Sequence, residues 1–261
     1  MHAAEREKLI LAALGRTGFV TYRELESSLD ASPATIRRDL TRLEEQGAIR
    51  RVHGGAELGE EKTNNAALVE GLRGTPFEKS IALHLEAKRA IGKAAADLCE
   101  PGEGIIIDGG STTYQMCNHL QGKNLQVLSN SLHIVNALLP HEDTQLLVPS
   151  GNIFREQNII LAPSGEASMP NFYASKVFLG AAAVSARGIF QADAVLVASQ
   201  RRFLELADEV ILLVDSSKFT TSSGGIVCKL DAISTVVTNS SISNADIAML
   251  RDGGINLVIT E

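Results

Sequence analysis

Between Glu5 and Gly47 apolar residues recur at helical spacing in three short bouts. Leu9, Ile10, Ala13 and Leu14 form the first, which Thr17-Gly18 closes. Leu25 and Leu29 form the second, opened by Thr21 and Glu24, whose separation suits a reciprocal capping box. Asp30-Ala31 leads into the third, where Ile36, Leu40 and Leu43 stand at i, i+4 and i+7 and line one face. Ser32 and Pro33 suit the start of that helix: a serine oxygen accepts from free first-turn amides, and proline lacks only an amide the first turn does not use. Gly47 suits a left-handed stop. Ile49 and Val52, with Gly54 and Gly55, predict a small hairpin over 48–58. The order is helix, helix, turn, helix, hairpin.

From Gly54 to about Lys79 the pattern weakens and Gly, Asn, Thr, Glu and Lys accumulate, notably in Gly59-Glu60-Glu61-Lys62-Thr63-Asn64-Asn65. This predicts a linker, partly helical around 66–72 and interrupted at Pro76. Ile91, Ala94, Ala95 and Leu98 predict a strong helix over 81–99, ended by Pro101-Gly102. Short apolar runs follow at 104–108, 125–128, 145–148, 176–179, 210–214, 233–238 and 256–259. Helical patterns fill gaps at 112–120, 132–139, 194–207 and 244–250. Strands of this kind, separated by helices, predict an α/β fold with a mostly parallel, helix-covered sheet.

The N-terminal pattern is that of a winged helix-turn-helix. The second helix of such a motif enters the major groove and reads base edges from its first turns, while arginines neutralise phosphates. Ser32, Thr35, Arg37 and Arg38 are therefore assigned to the groove. Arg42, Arg50, Arg51 and His53 are assigned to the DNA backbone or to wing contacts. The implied partner is double-stranded operator DNA. An amphipathic surface helix with solvated arginines, or a bundle that binds protein, is the competing explanation.

In the larger part the strand ends carry the chemistry, since parallel sheets bind ligands beyond their carboxyl edges. The first strand runs into Asp108-Gly109-Gly110-Ser111-Thr112-Thr113 just before a helix. Glycines permit close backbone approach, hydroxyls donate to anionic oxygens, and amides at a helix start point outward. A phosphate suits all three, although a tight strand-to-helix turn with a hydroxyl cap has the same composition. Neither GxxxxGK[ST] nor GxGxxG is present, so a sugar phosphate is favoured over a nucleotide. Ser129-Asn130-Ser131 and Asp215-Ser216-Ser217-Lys218 follow two other strands and could converge on the same pocket. Lys218 supplies a positive charge there, pairs with Asp215 or lies in solvent.

Length and charge sharpen the division. The 261 residues suit two domains, with a head at 1–58, a linker at 59–79 and an effector-binding and oligomerisation domain at 80–261. Residues 1–58 hold nine Lys and Arg and nine Asp and Glu, so the whole net charge of -7 falls outside the head. DNA binding must then use one locally basic face. The N-terminus lacks a signal-like apolar core and no apolar run approaches a membrane span, which predicts a cytoplasmic protein with no membrane partner. Cys99, Cys117 and Cys228 are widely spaced, and His84, His119, His133 and His141 show no ligand spacing. Free thiols are predicted, with no metal and no cofactor.

The motifs Ser32-Pro33-Ala34-Thr35-Ile36-Arg37-Arg38-Asp39-Leu40, His53-Gly54-Gly55-Ala56, Ile106 to Thr113, Ser129-Asn130-Ser131 and Asp215-Ser216-Ser217-Lys218-Phe219 together resemble the DeoR family of bacterial sugar-catabolism regulators. The resemblance implies an N-terminal winged helix joined to a Rossmann-like sensor domain similar to ribose-5-phosphate isomerase and CoA-transferase folds. It implies a repressor released by a phosphorylated sugar or sugar-acid intermediate and assembled as a homodimer or homotetramer. By motif position, Asp108, Gly109, Gly110, Ser111, Thr112, Thr113, Ser129, Asn130, Ser131 and Lys218 would line the effector site. The stretch from Tyr173 to Leu206, with Asp215-Ser216-Ser217-Lys218, resembles the ascorbate-utilisation repressor branch. Two departures stand out: Ser150-Gly151 replaces the paired glycines of many members, and Asp193-Ala194-Val195-Leu196 departs where many carry an acidic residue. Both segments, Gly151 included, are expected at the variable end of the ligand. An isomerase-like enzyme using Asp108 and Lys218 is the alternative, but it lacks a second acidic motif. An activator sensing an unphosphorylated sugar is another.

Overall fold

The computed structural model describes residues 6–7, 9–11, 14, 19–29, 31–45, 49–52, 55–58, 77–161 and 169–261. The chain divides into two compact units, residues 1–67 and 68–261.

In the first unit, residues 6, 7, 9–11 and 14 are helical. They are followed by β1 (Phe19–Thr21), α1 (Tyr22–Ser28), α2 (Pro33–Glu45), β2 (Ile49–Val52) and β3 (Gly55–Leu58). The capping box forms as its spacing predicts: Glu24 N donates to Thr21 Oγ1 at 3.2 Å, and Thr21 N donates to Glu24 Oε2 at 2.8 Å. Ser32 Oγ accepts from Thr35 N at 3.3 Å at the start of α2. Ile10, Leu14, Leu25, Leu29, Ile36, Leu40 and Leu43 meet in one core with Val20, Ile49 and Ala56. The predicted hairpin pairs Ile49 with Leu58 and Val52 with Gly55, and β1 adds a third strand in the order β1-β3-β2. A three-residue strand beside a helix cap has no periodicity to announce it. The stop at Gly47 and the wing residue His53 lie outside the described residues.

The second unit opens with α3 (Phe77–Ala82) and α4 (Leu85–Asp97). Its centre is a seven-stranded sheet in the order β15-β14-β12-β9-β4-β5-β6, with every neighbouring pair parallel. The strands are β4 (Gly104–Ile107), β5 (Gln126–Leu128), β6 (Gln145–Leu147), β9 (Ala174–Leu179), β12 (Ala207–Leu213), β14 (Thr235–Asn239) and β15 (Asn256–Thr260). Between them come α5 (Leu132–Leu138), α6 (Ala194–Leu204) and α7 (Asn244–Asp252). Ile105, Ile107, Val127, Phe178, Ile211 and Leu213 pack on one face with Ile91, Ala95 and Met116. Ile106, Leu128, Val177, Leu179, Leu212 and Val236 pack on the other with Val197, Phe203 and Leu250. Burial on both faces is why these strands read as unbroken apolar runs.

The winding locates the crevice. The chain runs outward from β4 to β5 and β6, then returns to place β9 on the other side of β4 and continues to β12, β14 and β15. The connections leaving β4 and β9 therefore diverge, and a topological switch point opens between their carboxyl ends.

Four local expectations change. The helix expected over 81–99 is two helices, broken where His84 takes a left-handed φ of 52°. Residues 77–79, expected in the linker, belong to α3, whose Phe77 stacks on His133 at 3.8 Å between ring centroids. The helix expected over 112–120 is a 3-10 helix, Thr113–His119, pressed so close to α4 that a Cβ on Gly92 would lie 2.6 Å from the Gln115 backbone. Two small antiparallel sheets also flank the main one. They are formed by β7 (Asn152–Phe154) with β8 (Ile159–Leu161), and by β10 (Ala183–Ser185), β11 (Gly188–Gln191) and β13 (Gly225–Cys228).

Candidate functional site

On α2 the apolar stripe is buried, and Arg37, Arg38 and Arg42 stand exposed on the remaining surface. Ser32 Oγ lies 2.9 Å from Thr35 Oγ1, so the two groove-assigned hydroxyls are already joined at the helix start. Arg42 pairs with Glu7 at 2.8 Å. An exposed pair of this kind is worth less than about 1 kcal/mol, so it competes weakly with a phosphate. Arg50 and Arg51 lie in β2 opposite Glu57 and Ala56. The pattern gave no warning of Asp39, an acid amid arginines. Its carboxylate is buried and receives Arg6 Nε at 2.7 Å and Nη2 at 3.2 Å, a two-pronged contact that fastens α2 to the helical residues before it.

In the second unit the loop after β4 is held largely by its own atoms. Thr113 Oγ1 lies 2.6 Å from the Asp108 carbonyl and 2.9 Å from that of Gly110, and accepts from Gly110 N at 2.9 Å. A Cβ on Gly109 would come within 3.0 Å of Ser131 Cβ, so that glycine lets the loop pack on the end of β5. Ser129 Oγ donates to the Ile107 carbonyl at 2.7 Å, and Ser131 Oγ caps α5 by accepting from Ile134 N at 3.4 Å. Hydroxyls expected to face a ligand at Thr113, Ser129 and Ser131 thus build the site's frame. Thr112, at the start of the 3-10 helix, is buried. Gly151 is exposed just before β7.

Asp108 is buried, and Gln200 Nε2 of α6 donates to its Oδ2 at 2.5 Å and to the Gly180 carbonyl at 2.9 Å. Gln200 thereby ties the ends of β4 and β9 together. Burial pushes the Asp108 carboxyl up, against hydrogen bonds from Gln200, Gly109 and Gly180 that favour its charged form.

Two groups converge on the Ser111 hydroxyl. Its Oγ lies 3.0 Å from Lys88 Nζ and 2.9 Å from Ser80 Oγ, while Lys88 Nζ donates to the Ser80 carbonyl at 2.5 Å. Lys88 is only 2% exposed, and burial pulls its ammonium down to about 8. Asp215 opposes that shift and Lys218 adds to it, so all three charges share one neighbourhood. Asp215 caps the 3-10 helix Ser216–Phe219 through Oδ1, which accepts from Ser217 N at 3.1 Å, and its buried Oδ2 has no partner. Asn130 Nδ2 donates to Ser199 Oγ at 2.8 Å, and its Oδ1 is likewise buried without a partner. A cavity of about 240 Å³ opens beside it, lined among others by Asn130, Ile160, Ser199, Arg202 and Phe203. A wider cleft of about 700 Å³ lies along α4 and the ends of β14 and β15, where Arg89 and Lys93 are already paired with Glu86 and Asp97.

Lys88, Ser80, Ser199, Gln200 and Arg202 escaped the sequence reading. Lys88 sits between Ala87 and Arg89 on a helix whose other charges are solvated, so nothing local marks it. Among the described residues no group of three His, Cys, Asp or Glu could hold a metal ion. Cys99, Cys117 and Cys228 are free, with thiols pushed up by burial to about 12, 12 and 11. No helix among the described residues is long and apolar enough to cross a membrane.

Residues 6–62 match the model of the DeoR-like helix-turn-helix domain, and residues 83–240 match that of the DeoR C terminal sensor domain. The chain belongs to the DeoR family. This DeoR-family transcriptional regulator is similar along its whole length to the HTH-type transcriptional regulator UlaR of Shigella dysenteriae serotype 1 (strain Sd197) and of Escherichia coli (strain K12 / DH10B). Each is 29% identical over 259 residues, covering 99% of this chain and 99% of the relative. That likeness agrees with the branch expected from Tyr173 to Leu206. Similar solved structures include ribose 5-phosphate isomerase A from Methanocaldococcus jannaschii, with TM-score 0.38 and 16% identity over 52% of this chain and 54% of that one. The full-length sorbitol operon regulator SorC from Klebsiella pneumoniae matches with TM-score 0.36 and 11% identity over 98% and 96%. The named full-length relatives are regulators of transcription.

Proposed function

We propose that this DeoR-family regulator represses a carbohydrate uptake or catabolic operon and is released by a phosphorylated sugar or sugar acid bound at the carboxyl ends of β4, β5 and β12. One observation carries the reading: a buried ammonium, Lys88, rests on Ser111 at the switch point of a domain whose net charge is negative, with Lys218 nearby. Paired cations in an acidic body call for an anion. The unpartnered buried oxygens of Asn130 and Asp215 are acceptors, and the hydroxyls of a sugar are donors that would satisfy them.

In this reading residues 1–58 hold the operator, with Ser32, Thr35, Arg37 and Arg38 in the groove and Arg42, Arg50, Arg51 and His53 on the backbone or wing. Residues from 80 onward sense the effector. The effector must prefer the arrangement that binds DNA poorly, since a ligand with equal affinity for both shifts nothing. Homodimers or homotetramers with two-fold symmetry would read paired half-sites whose spacing matches the separation of the α2 helices. An isomerase role receives less support, because the Asp108 carboxylate is engaged by Gln200.

A thermal-shift screen of phosphorylated sugars and sugar acids, followed by operator release with each hit, tests the proposal. Stabilisation and release by a phosphorylated compound, and not by its unphosphorylated parent, is the expected result. Release by the unphosphorylated sugar alone would overturn the phosphate assignment.

A further inference from the structure

A buried lysine normally pairs with a carboxylate, whereas Lys88 feels Asp215 only from beyond ion-pair distance. Its ammonium has two neutral partners, the Ser80 carbonyl at 2.5 Å and Ser111 Oγ at 3.0 Å, and among the described residues no carboxylate lies within ion-pair distance. Neutral oxygens compensate a desolvated cation only in part. Both partners matter for what happens next. Ser111 belongs to the loop after β4, whereas Ser80 belongs to α3, the first described element behind the segment that joins head to body in the chain. The Ser80 hydroxyl also meets Ser111 Oγ at 2.9 Å, so α3 covers the hydroxyl that a phosphate would use. Besides these, α3 is held by Phe77, stacked on His133 and edge-on to Tyr114 at 5.6 Å, and by Glu78, whose Oε1 lies 3.9 Å from His133 Nε2.

We infer that Lys88 is the anion-binding cation of the effector site, and that it is held by Ser80 of α3 until the effector's phosphate takes that place. This rests on the phosphate reading above and adds its consequence. A dianion offers Lys88 and Ser111 charge-assisted bonds that the Ser80 carbonyl and hydroxyl cannot match. Binding therefore exchanges Ser80 for phosphate, and α3 loses both Ser80 anchors in one step. The chain leading to the head is then held through the contacts of Phe77 and Glu78 with His133 and Tyr114. Lys88 is in this way a binding residue whose ligand-free partner is the latch.

Hydrogen exchange on the full-length protein, with inorganic phosphate as probe and sodium chloride of equal ionic strength as control, tests the exchange of partners. Phosphate should slow exchange in 108–113 and speed it in 77–84. Lys88→Met, close in volume to lysine, should weaken phosphate binding by about 10- to 100-fold, as expected for losing a charged hydrogen bond, and should leave 77–84 fast with or without phosphate. Lys88→Arg keeps the charge and should retain a phosphate response. Protection of 108–113 with no change in 77–84 of the wild type would overturn the latch while leaving the phosphate site standing. Undiminished phosphate affinity in Lys88→Met would remove Lys88 from the site. If neither phosphate nor any sugar phosphate touches 108–113 in the wild type, both the latch and the functional reading fall. The wild-type pattern is decisive by itself should Lys88→Met not fold.

Discussion

Arg6 in the head and Lys88 in the body do the same structural work with opposite partners. Arg6 grips the buried carboxylate of Asp39 with two hydrogen bonds, so the charge is cancelled within the protein and the contact is complete. Lys88 grips a carbonyl and a hydroxyl, with Asp215 acting only from beyond ion-pair distance, so its charge is cancelled only in part and the contact is open to replacement by an anion. The difference separates a fastener from a sensor. On the proposed reading, a head that presents Arg37 and Arg38 to DNA needs α2 held rigidly, whereas a body that reports a ligand needs a contact the ligand can win.

The comparison breaks most visibly at Asp39. Asp39→Ala removes the partner of a nearly buried guanidinium and should lower operator affinity by about 100-fold through loss of the head's structure. The effector-induced thermal shift of the body should persist; its loss as well would show that the two units do not fold independently. Next in size are Arg37→Ala and Arg38→Ala. Each should weaken operator binding about tenfold and reduce the slope of log affinity against log salt by about one if it meets a phosphate. Unchanged affinity in a fluorescence-anisotropy titration with both variants would remove the proposed DNA face.

An effect of similar size is expected at the cradle. Ser111→Ala combined with Thr112→Ala should shift the effector concentration for half-release by about tenfold, about one lost charged hydrogen bond, while operator affinity stays the same. A normal dose response would count against the loop. The smallest effect is on pH. Lys88 titrates near 8 in the folded chain and near its ordinary 10.5 when unfolded, so the unfolded chain binds more protons between those values. Stability should therefore climb as pH rises from about 8 toward 10.5, with the full burial penalty present below 8. Lys88→Met should flatten that climb in thermal melts. Because a phosphate would restore the lysine's affinity for protons, effector binding near pH 8 should take up a proton, visible as buffer-dependent heat in calorimetry.

The amino-acid order alone determined the helix-turn-helix, its capping box, its buried apolar stripe, the seven parallel strands and the three polar strand ends. Each is a local matter of periodicity, cap chemistry or a turn residue next to an apolar run. Tertiary structure alone decided that Asp39 and Lys88 are buried, that Thr113, Ser129 and Ser131 serve the frame, that Gln200 joins two strand ends, and that a helix breaks at His84. Charge is legible along a chain, but desolvation is not. Whether a lysine is solvated on a helix or enclosed over a hydroxyl depends on residues 8 and 23 positions away, brought to it by α3 and β4.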